Sequence, residues 1–332
     1  MKYLSSSPGY PARTDGSARS PTGRHMFRDF PVWPWVSAII VAALICAASF
    51  WFVTAAVPRY AAGDPDLKPG DPARGRLVFA AGLCAACHAT PGQPDPLKLG
   101  GGLALASPFG TFRVPNISSD PTDGIGAWSV ADLANALIAG VSPGGEHYYP
   151  AFPYVSYTGM RIGDVADLYA YLQTLPAVTG RPPPHDLPLL FRFRRALGLW
   201  KLLFFREGHS QAQLNGDAVH DRGAYLSETL GHCAECHSTR NLLGAIKPET
   251  RFAGGPDPEG TGFVPNITPG RIGHWSEPEI ATMLKTGETP GHGRVGSSMA
   301  DVVTNFALLP QSDRDAVARY VKSLPPRPTP HP

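Results

Sequence analysis

Cys84-Ala85-Ala86-Cys87-His88 and Cys233-Ala234-Glu235-Cys236-His237 are the two stretches from which the rest of the chain is read. Two thiols separated by two residues and followed at once by an imidazole can add to the two vinyl groups of a haem and set the histidine beneath its iron. The alternatives are a zinc site built from both pairs, a redox dithiol, or two disulfides. Zinc would have to join pairs about 150 residues apart, and the dithiol and disulfide readings leave both histidines without a role. The pattern therefore predicts two covalently bound haem c groups, one on Cys84 and Cys87 and one on Cys233 and Cys236, with His88 and His237 as axial ligands.

Outward from these motifs the chain is one pattern written twice. Arg74-Gly75 matches Arg222-Gly223, Val114-Pro115-Asn116-Ile117 matches Val264-Pro265-Asn266-Ile267, and Ile125-Gly126 with Trp128-Ser129 matches Ile272-Gly273 with Trp275-Ser276. The copies close with Tyr171-Leu172-Gln173-Thr174-Leu175-Pro176 and Tyr320-Val321-Lys322-Ser323-Leu324-Pro325. Agreement at so many ordered points predicts a duplicated domain. Ser129 with Asp132, and Ser276 with Glu279, have the spacing of capping boxes that start a middle helix. Residues 164–174 and 313–323 have the acidic start and Leu-Pro stop of last helices. No stretch shows sustained strand alternation, so the expected class is all-α.

A second axial ligand is sought among five methionines. Met299 follows Gly291, Gly293 and Gly296 in a loop where backbone can approach a porphyrin closely, and it is the expected distal ligand of the second iron. Met283 falls at helical spacing with Ile280 and Leu284 and reads as core. In the first copy, register along the repeat puts Phe152 opposite Met299. Met160, the sole methionine between His88 and the second copy, is the expected ligand there, with His147 or an open position as alternatives. Trp128 and Trp275 could donate their indole N–H to haem propionates or simply pack in the core. The carbonyls of Pro115 and Pro265 are candidates for orienting the proximal histidines. His232, His274 and His292 read as solvent-facing.

The flanks place these copies. Residues 36–57 carry no charge and match the length of a spanning helix. Lys2, Arg13, Arg19, Arg24 and Arg28 precede them and predict a cytoplasmic N-terminus, with the remainder in the periplasm. A cleaved signal peptide is the alternative. The expected organisation is a disordered cytoplasmic tail (1–31), an anchor (32–57), a Pro/Gly linker holding the next domain off the membrane (58–70), a first domain (71–178), an interdomain strap (179–212), a second domain (213–326) and a short tail (327–332). The strap contains an apolar run, 189–205, interrupted by Arg192, Arg194, Arg195 and Lys201; packing between domains is the favoured reading, with membrane-surface or partner docking beside it. Lys and Arg total 29 against 27 Asp and Glu, which gives no field for a nucleic-acid partner.

The stretches Tyr149-Pro150-Ala151-Phe152-Pro153-Tyr154, Gly223-Ala224-Tyr225-Leu226, Gly231-His232-Cys233 and Gly198-Leu199-Trp200-Lys201-Leu202-Leu203-Phe204-Phe205 resemble the multi-haem cytochrome c subunits of membrane-bound bacterial alcohol, gluconate and aldehyde dehydrogenases. The resemblance covers roughly residues 70–325. It implies electron transfer from a periplasmic or membrane dehydrogenase toward the respiratory chain, and the expected fold is two tandem cytochrome c domains behind one N-terminal transmembrane helix, with an oxidase or soluble cytochrome as acceptor. This chain departs from the family in having two haem motifs where three are common, and phenylalanine at Phe152 where many members carry methionine. The rival expectation is a haem enzyme, either a di-haem peroxidase or a thiosulfate- or sulfite-oxidising cytochrome, using an open first iron.

Overall fold

Glycine decides how the helices of this chain meet. The computed structural model describes residues 33–208, 214–257 and 262–330. Along it run α1 (Trp33–Val53), α2 (Pro72–Ala81), α3 (Cys84–His88), α4 (Val130–Ala134), α5 (Tyr154–Tyr157), α6 (Ile162–Leu172), α7 (Leu197–Phe204), α8 (Ala218–Ala224), α9 (Pro269–Ile272), α10 (Glu277–Thr286), α11 (Ser298–Phe306) and α12 (Gln311–Ser323). In the first copy α2 packs on α6, and in the second α8 packs on α12. A Cβ on Gly75 would stand 1.9 Å from the Asp167 carbonyl oxygen, and one on Gly223 would stand 1.9 Å from that of Ala316. Only a hydrogen fits between backbones this close.

The arginine preceding each glycine clamps the same crossing. Arg74 Nε donates to Asp167 Oδ2 at 2.7 Å, and Arg222 Nη2 donates to Asp313 Oδ2 at 2.8 Å. These acids are not equivalent, because Asp167 lies one turn further along its helix than Asp313 does. The true counterpart of Asp313 is Asp164, which accepts a 2.5 Å hydrogen bond from the Tyr225 hydroxyl of the other copy. One copy thus spends on holding its neighbour what the other spends on itself. A single hydrophobic cluster accordingly contains Leu137, Leu168 and Leu172 together with Leu226, Leu284 and Val321.

Both capping boxes form, with Ser129 and Asp132 at the start of α4 and Ser276 and Glu279 at the start of α10. Helices α4 and α8 continue into π-helical turns at Asn135–Ala139 and Tyr225–Leu230. The Asn116 side chain donates to Val178 O at 2.7 Å and Asn266 to Arg327 O at 2.8 Å. Each asparagine therefore pins the segment after the last helix to the loop that carries the matched Val-Pro-Asn-Ile.

The secondary structure is mostly helical, and the all-helical expectation is corrected in two places. Strands β1 (Ala104–Ser107) and β2 (Gly110–Arg113) form an antiparallel hairpin, and β3 (Gly255–Pro256) pairs with β4 (Phe263–Val264). Strands of four and two residues are too short for alternation to stand out in sequence.

The chain divides into two units, Met1–Ser49 and Phe50–Pro332. Within the first, residues 33–49 belong to α1, which is long and apolar enough to cross a membrane by length and composition. The expected tail 1–31 lies outside the described residues. In the second unit the segment after α1 is tied to the first copy at its start. Asn135 Oδ1 accepts from the backbone N–H of Arg59 and Tyr60 at 2.7 and 2.9 Å, and Asn135 Nδ2 donates to Tyr60 O at 2.8 Å, so one amide side chain fastens the segment to the first copy.

The segment between the copies touches both. Asp186 exchanges backbone hydrogen bonds of 2.8 and 2.9 Å with Thr111 on β2. On α7, Lys201 Nζ donates to Ala139 O and Gly140 O at 2.7 and 2.8 Å, while Trp200 Nε1 donates to Leu243 O of the second copy at 2.8 Å. Lys201 thereby satisfies carbonyls at the end of a helix, where a cation is favoured.

Candidate haem centres

Each motif is entered through a backbone kink. Leu83 and His232, the residues just before Cys84 and Cys233, hold φ of 56° and 36°. A side chain in this left-handed region carries strain that surrounding contacts must maintain. The reversal ends the preceding helix and turns the cysteine-bearing segment back across it. Cys84 and Cys87 then lie three residues apart on α3, on one face, and Cys233–Glu235 forms a 3-10 turn with the same consequence. No disulfide joins any of the five cysteines. Among the described residues, no three His, Cys, Asp or Glu side chains gather as a metal cluster, so the zinc reading lacks a ligand set.

The two histidines are held alike. His88 Nδ1 lies 2.9 Å from Pro115 O, and His237 Nδ1 lies 2.7 Å from Pro265 O. A carbonyl can only accept, so each ring carries its proton on Nδ1 and presents the Nε2 lone pair. Burial lowers the His88 pKa to about 4 and also lowers that of His237, against the smaller opposing effect of the proline carbonyls. Both rings are consequently neutral near pH 7, which is the protonation state that a metal requires of imidazole. Burial also pushes the Cys84 and Cys233 thiols up to about 12. Paired thiols at this spacing, an adjacent neutral imidazole and its fixed tautomer fit covalently attached haem in both copies.

The other candidates fall in less symmetric places. Met299 occupies the first turn of α11, where a loop had been expected, and packs partly buried against the shared cluster. Met160 is buried between α5 and α6, its N–H donating to Tyr157 O at 2.8 Å, and Leu309 N–H makes the matching bond to Phe306 O at 3.1 Å. The structural counterpart of Met160 is thus Leu309, while Phe152, at the register position of Met299, sits among the rings of Tyr148, Tyr154 and Tyr157. His147 Nε2 is 3.0 Å from Thr54 O, which ties that ring to the chain leaving α1. Trp128 and Trp275 are partly buried against the cluster. Met283 also packs on it, beside buried Ile280 and Leu284, as expected of a core residue.

His274 and His292 are exposed as expected, but His232 is not. Its ring meets the Tyr157 ring edge-on at 5.4 Å. Two further acidic groups have no role that the motifs assign. Glu235, inside the second motif, accepts from Ser156 Oγ of the first copy at 3.0 Å and pairs with Arg240 at 2.6 Å. Burial alone would raise its pKa, but Arg240, His232 and Ser156 outweigh that and hold it below the usual carboxylate range. Glu228, buried, accepts from Arg251 and from the Tyr320 hydroxyl at 2.6 Å. A usable signal lay in the repeat itself, since Glu228 stands where the first copy has Phe79.

A family model described as Cytochrome c matches residues 72–176. A "Diheme cytochrome c-type" protein of Cereibacter sphaeroides is 47% identical over 286 residues, covering 84% of this chain and 94% of its own length. The cytochrome c subunit of a quinone alcohol dehydrogenase from Gluconacetobacter polyoxogenes is 35% identical over 282 residues, which is 80% of this chain and 58% of that subunit. The gluconate 2-dehydrogenase cytochrome c subunit of Pantoea cypripedii is 34% identical over 264 residues, covering 76% and 59% respectively. The chain therefore spans under two thirds of these dehydrogenase subunits but nearly all of the first relative. On this identity and coverage, the chain belongs to the cytochrome c family.

Proposed function

We propose that the chain carries two haem c groups, one per copy, and transfers electrons from a periplasmic or membrane dehydrogenase to the respiratory chain. The observation that carries this reading is the doubled arrangement of paired cysteines, neutral histidine and proline carbonyl. When bound, each haem supplies a reversible one-electron iron couple. Cys84, Cys87, Cys233 and Cys236 tether the groups, and His88 and His237 supply the proximal nitrogens. Met299 is the distal ligand of the second iron and Met160 that of the first. The indole N–H groups of Trp128 and Trp275 donate to propionates. The two copies form tandem domains, 71–178 and 213–326, joined by the strap 179–212. Helix α1 anchors them to the cytoplasmic membrane with the haem domains in the periplasm, facing an oxidase or soluble cytochrome as acceptor.

The test is expression of the full chain in a host that matures c-type cytochromes. The denatured protein keeps its colour and gains the mass of two haems, and each Cys pair changed to Ala removes one. A colourless product of unmodified mass overturns the proposal. Reconstitution with a candidate dehydrogenase and its substrate then reduces the haems, and failure with every such donor removes the dehydrogenase role.

Phe152 at the place of Met299, with Met160 at the place of Leu309, favours a second reading in which the first iron has an open distal side and serves a peroxidase or a sulfur-oxyanion oxidase. The far-red methionine-to-iron band of the oxidised protein separates the two. Loss of intensity in both Met160→Ala and Met299→Ala removes the enzyme reading, whereas a band insensitive to Met160→Ala promotes it.

A further inference from the structure

Helix α7 is turned inside out with respect to water. Its buried residues are Gly198 and Lys201, while Leu199, Leu202 and Leu203 face outward. A helix on an aqueous surface does the reverse, burying its leucines and exposing its lysine. The inward face is well fixed. Lys201 caps the Ala139 and Gly140 carbonyls and lies over the Tyr154 and Phe205 rings, and a Cβ on Gly198 would stand 2.6 Å from Thr54 Cα. The preceding 3-10 turn Leu189–Arg192 continues the outward apolar face, with Leu189 and Leu190 82% and 80% exposed and Phe193 following.

The same strap is bolted to the end of the apolar helix. Phe193 stacks on Phe50 with centroids 6.3 Å apart, and the Arg195 guanidinium lies 4.0 Å from the Trp51 ring centroid. Arg195 also donates to Trp51 O and, through Nε, to Thr54 Oγ1 at 3.1 Å. The apolar run of α1 ends within a few residues of these contacts, at Pro58 and Arg59. If α1 spans the bilayer, its last turn marks the outer boundary of the hydrocarbon, and whatever is fixed to that turn lies at that level. The exposed Arg192 and Arg206 flank the outward leucines, the combination by which an amphipathic segment lies in an anionic lipid interface.

We infer that the strap, through Leu189, Leu190, Phe193, Leu199, Leu202 and Leu203, is a second membrane-binding element that beds the haem-bearing part of the chain in the outer lipid surface. This rests on α1 being the membrane anchor. The apolar face meets acyl chains at the headgroup boundary, the arginines meet lipid phosphates, and the first copy is held at the bilayer because Lys201 and Gly198 fasten the strap to it.

The full-length holoprotein is reconstituted into vesicles of phosphatidylethanolamine and phosphatidylglycerol containing a lipid-soluble aryl diazirine, photolysed, and digested for peptide mass spectrometry. Carbene adducts are expected on peptides from both α1 and the strap. In Leu189→Ser/Leu190→Ser/Leu203→Ser the strap adducts fall by about threefold or more, while α1 labelling and haem content stay unchanged. Adducts on α1 alone overturn the inference and leave the anchor intact. Absence of adducts on α1 removes the anchor reading itself. Strap residues that stay unlabelled in vesicles, and become shielded from an aqueous carbodiimide or alkylating probe only when a dehydrogenase is added, assign the face to a protein partner and also overturn the inference.

Discussion

Tyr157 joins the two Cys-x-x-Cys-His motifs: its hydroxyl donates to Gly82 O at 2.9 Å, just before the first, while its ring meets His232, just before the second, at 5.4 Å. Both left-handed kinks are thereby braced by one side chain. The copies are held in fixed relation at the entrances to their Cys-x-x-Cys-His segments.

Tyr157→Phe keeps the ring contact and deletes the hydrogen bond, at an expected cost of about 1 kcal/mol, whereas Tyr157→Ala also opens a cavity and costs roughly 3–5 kcal/mol. Chemical denaturation of the holoprotein measures both. Equal losses for the two variants would show that the hydroxyl, not the ring, carries the brace.

Gly75→Ala and Gly223→Ala each force two crossing helices apart, and each is expected to cost about 3 kcal/mol or more. Gly163, in α6, has open space around it and serves as the contrast. Gly163→Ala should be neutral to stabilising by up to about 1 kcal/mol through helix propensity. Thermal melts of the three variants check the order.

Asp167 ties acid stability to the first crossing. Burial alone would raise its pKa, but Arg74 and the Asp71 N–H outweigh that and hold it below its ordinary value of 3.8. The folded pKa is depressed, so the stabilisation is complete above the ordinary value and is lost as pH falls through the depressed one. Asp167→Asn should therefore lower stability near pH 7 and flatten its decline at acid pH. An unchanged acid-unfolding slope would contradict this.

Glu228 and Arg251 form a pair whose side chains are 3% and 17% exposed. Glu228→Leu alone strands the arginine and should cost roughly 3–5 kcal/mol, while the double change with Arg251→Leu should recover much of that. A double-mutant cycle by denaturant titration measures the coupling. An additive result would mean that Tyr320, and not Arg251, is the partner that matters.

Much of this was legible in residue order. The motifs, the doubled Arg-Gly and Val-Pro-Asn-Ile, and both capping boxes follow from local spacing, because each links residues within a turn or repeats a whole pattern. The proline carbonyls could be named as histidine partners because a matched Val-Pro-Asn-Ile follows each motif, its proline 27 residues after His88 and 28 after His237. The short hairpin escaped because four-residue strands leave too few alternations to read.

What sequence determined by itself is therefore the Cys-x-x-Cys-His spacing of each copy and its capped helix starts, set by covalent connectivity and hydrogen bonds within a turn. What only tertiary structure decided is how the copies share their neighbours. Asp164 turned outward to Tyr225, Met160 fell at the place of Leu309, and α7 buried a lysine while leaving its leucines out. Those outcomes depend on which surfaces meet and which water is excluded. That competition is between elements far apart in the chain, and no local pattern records its result.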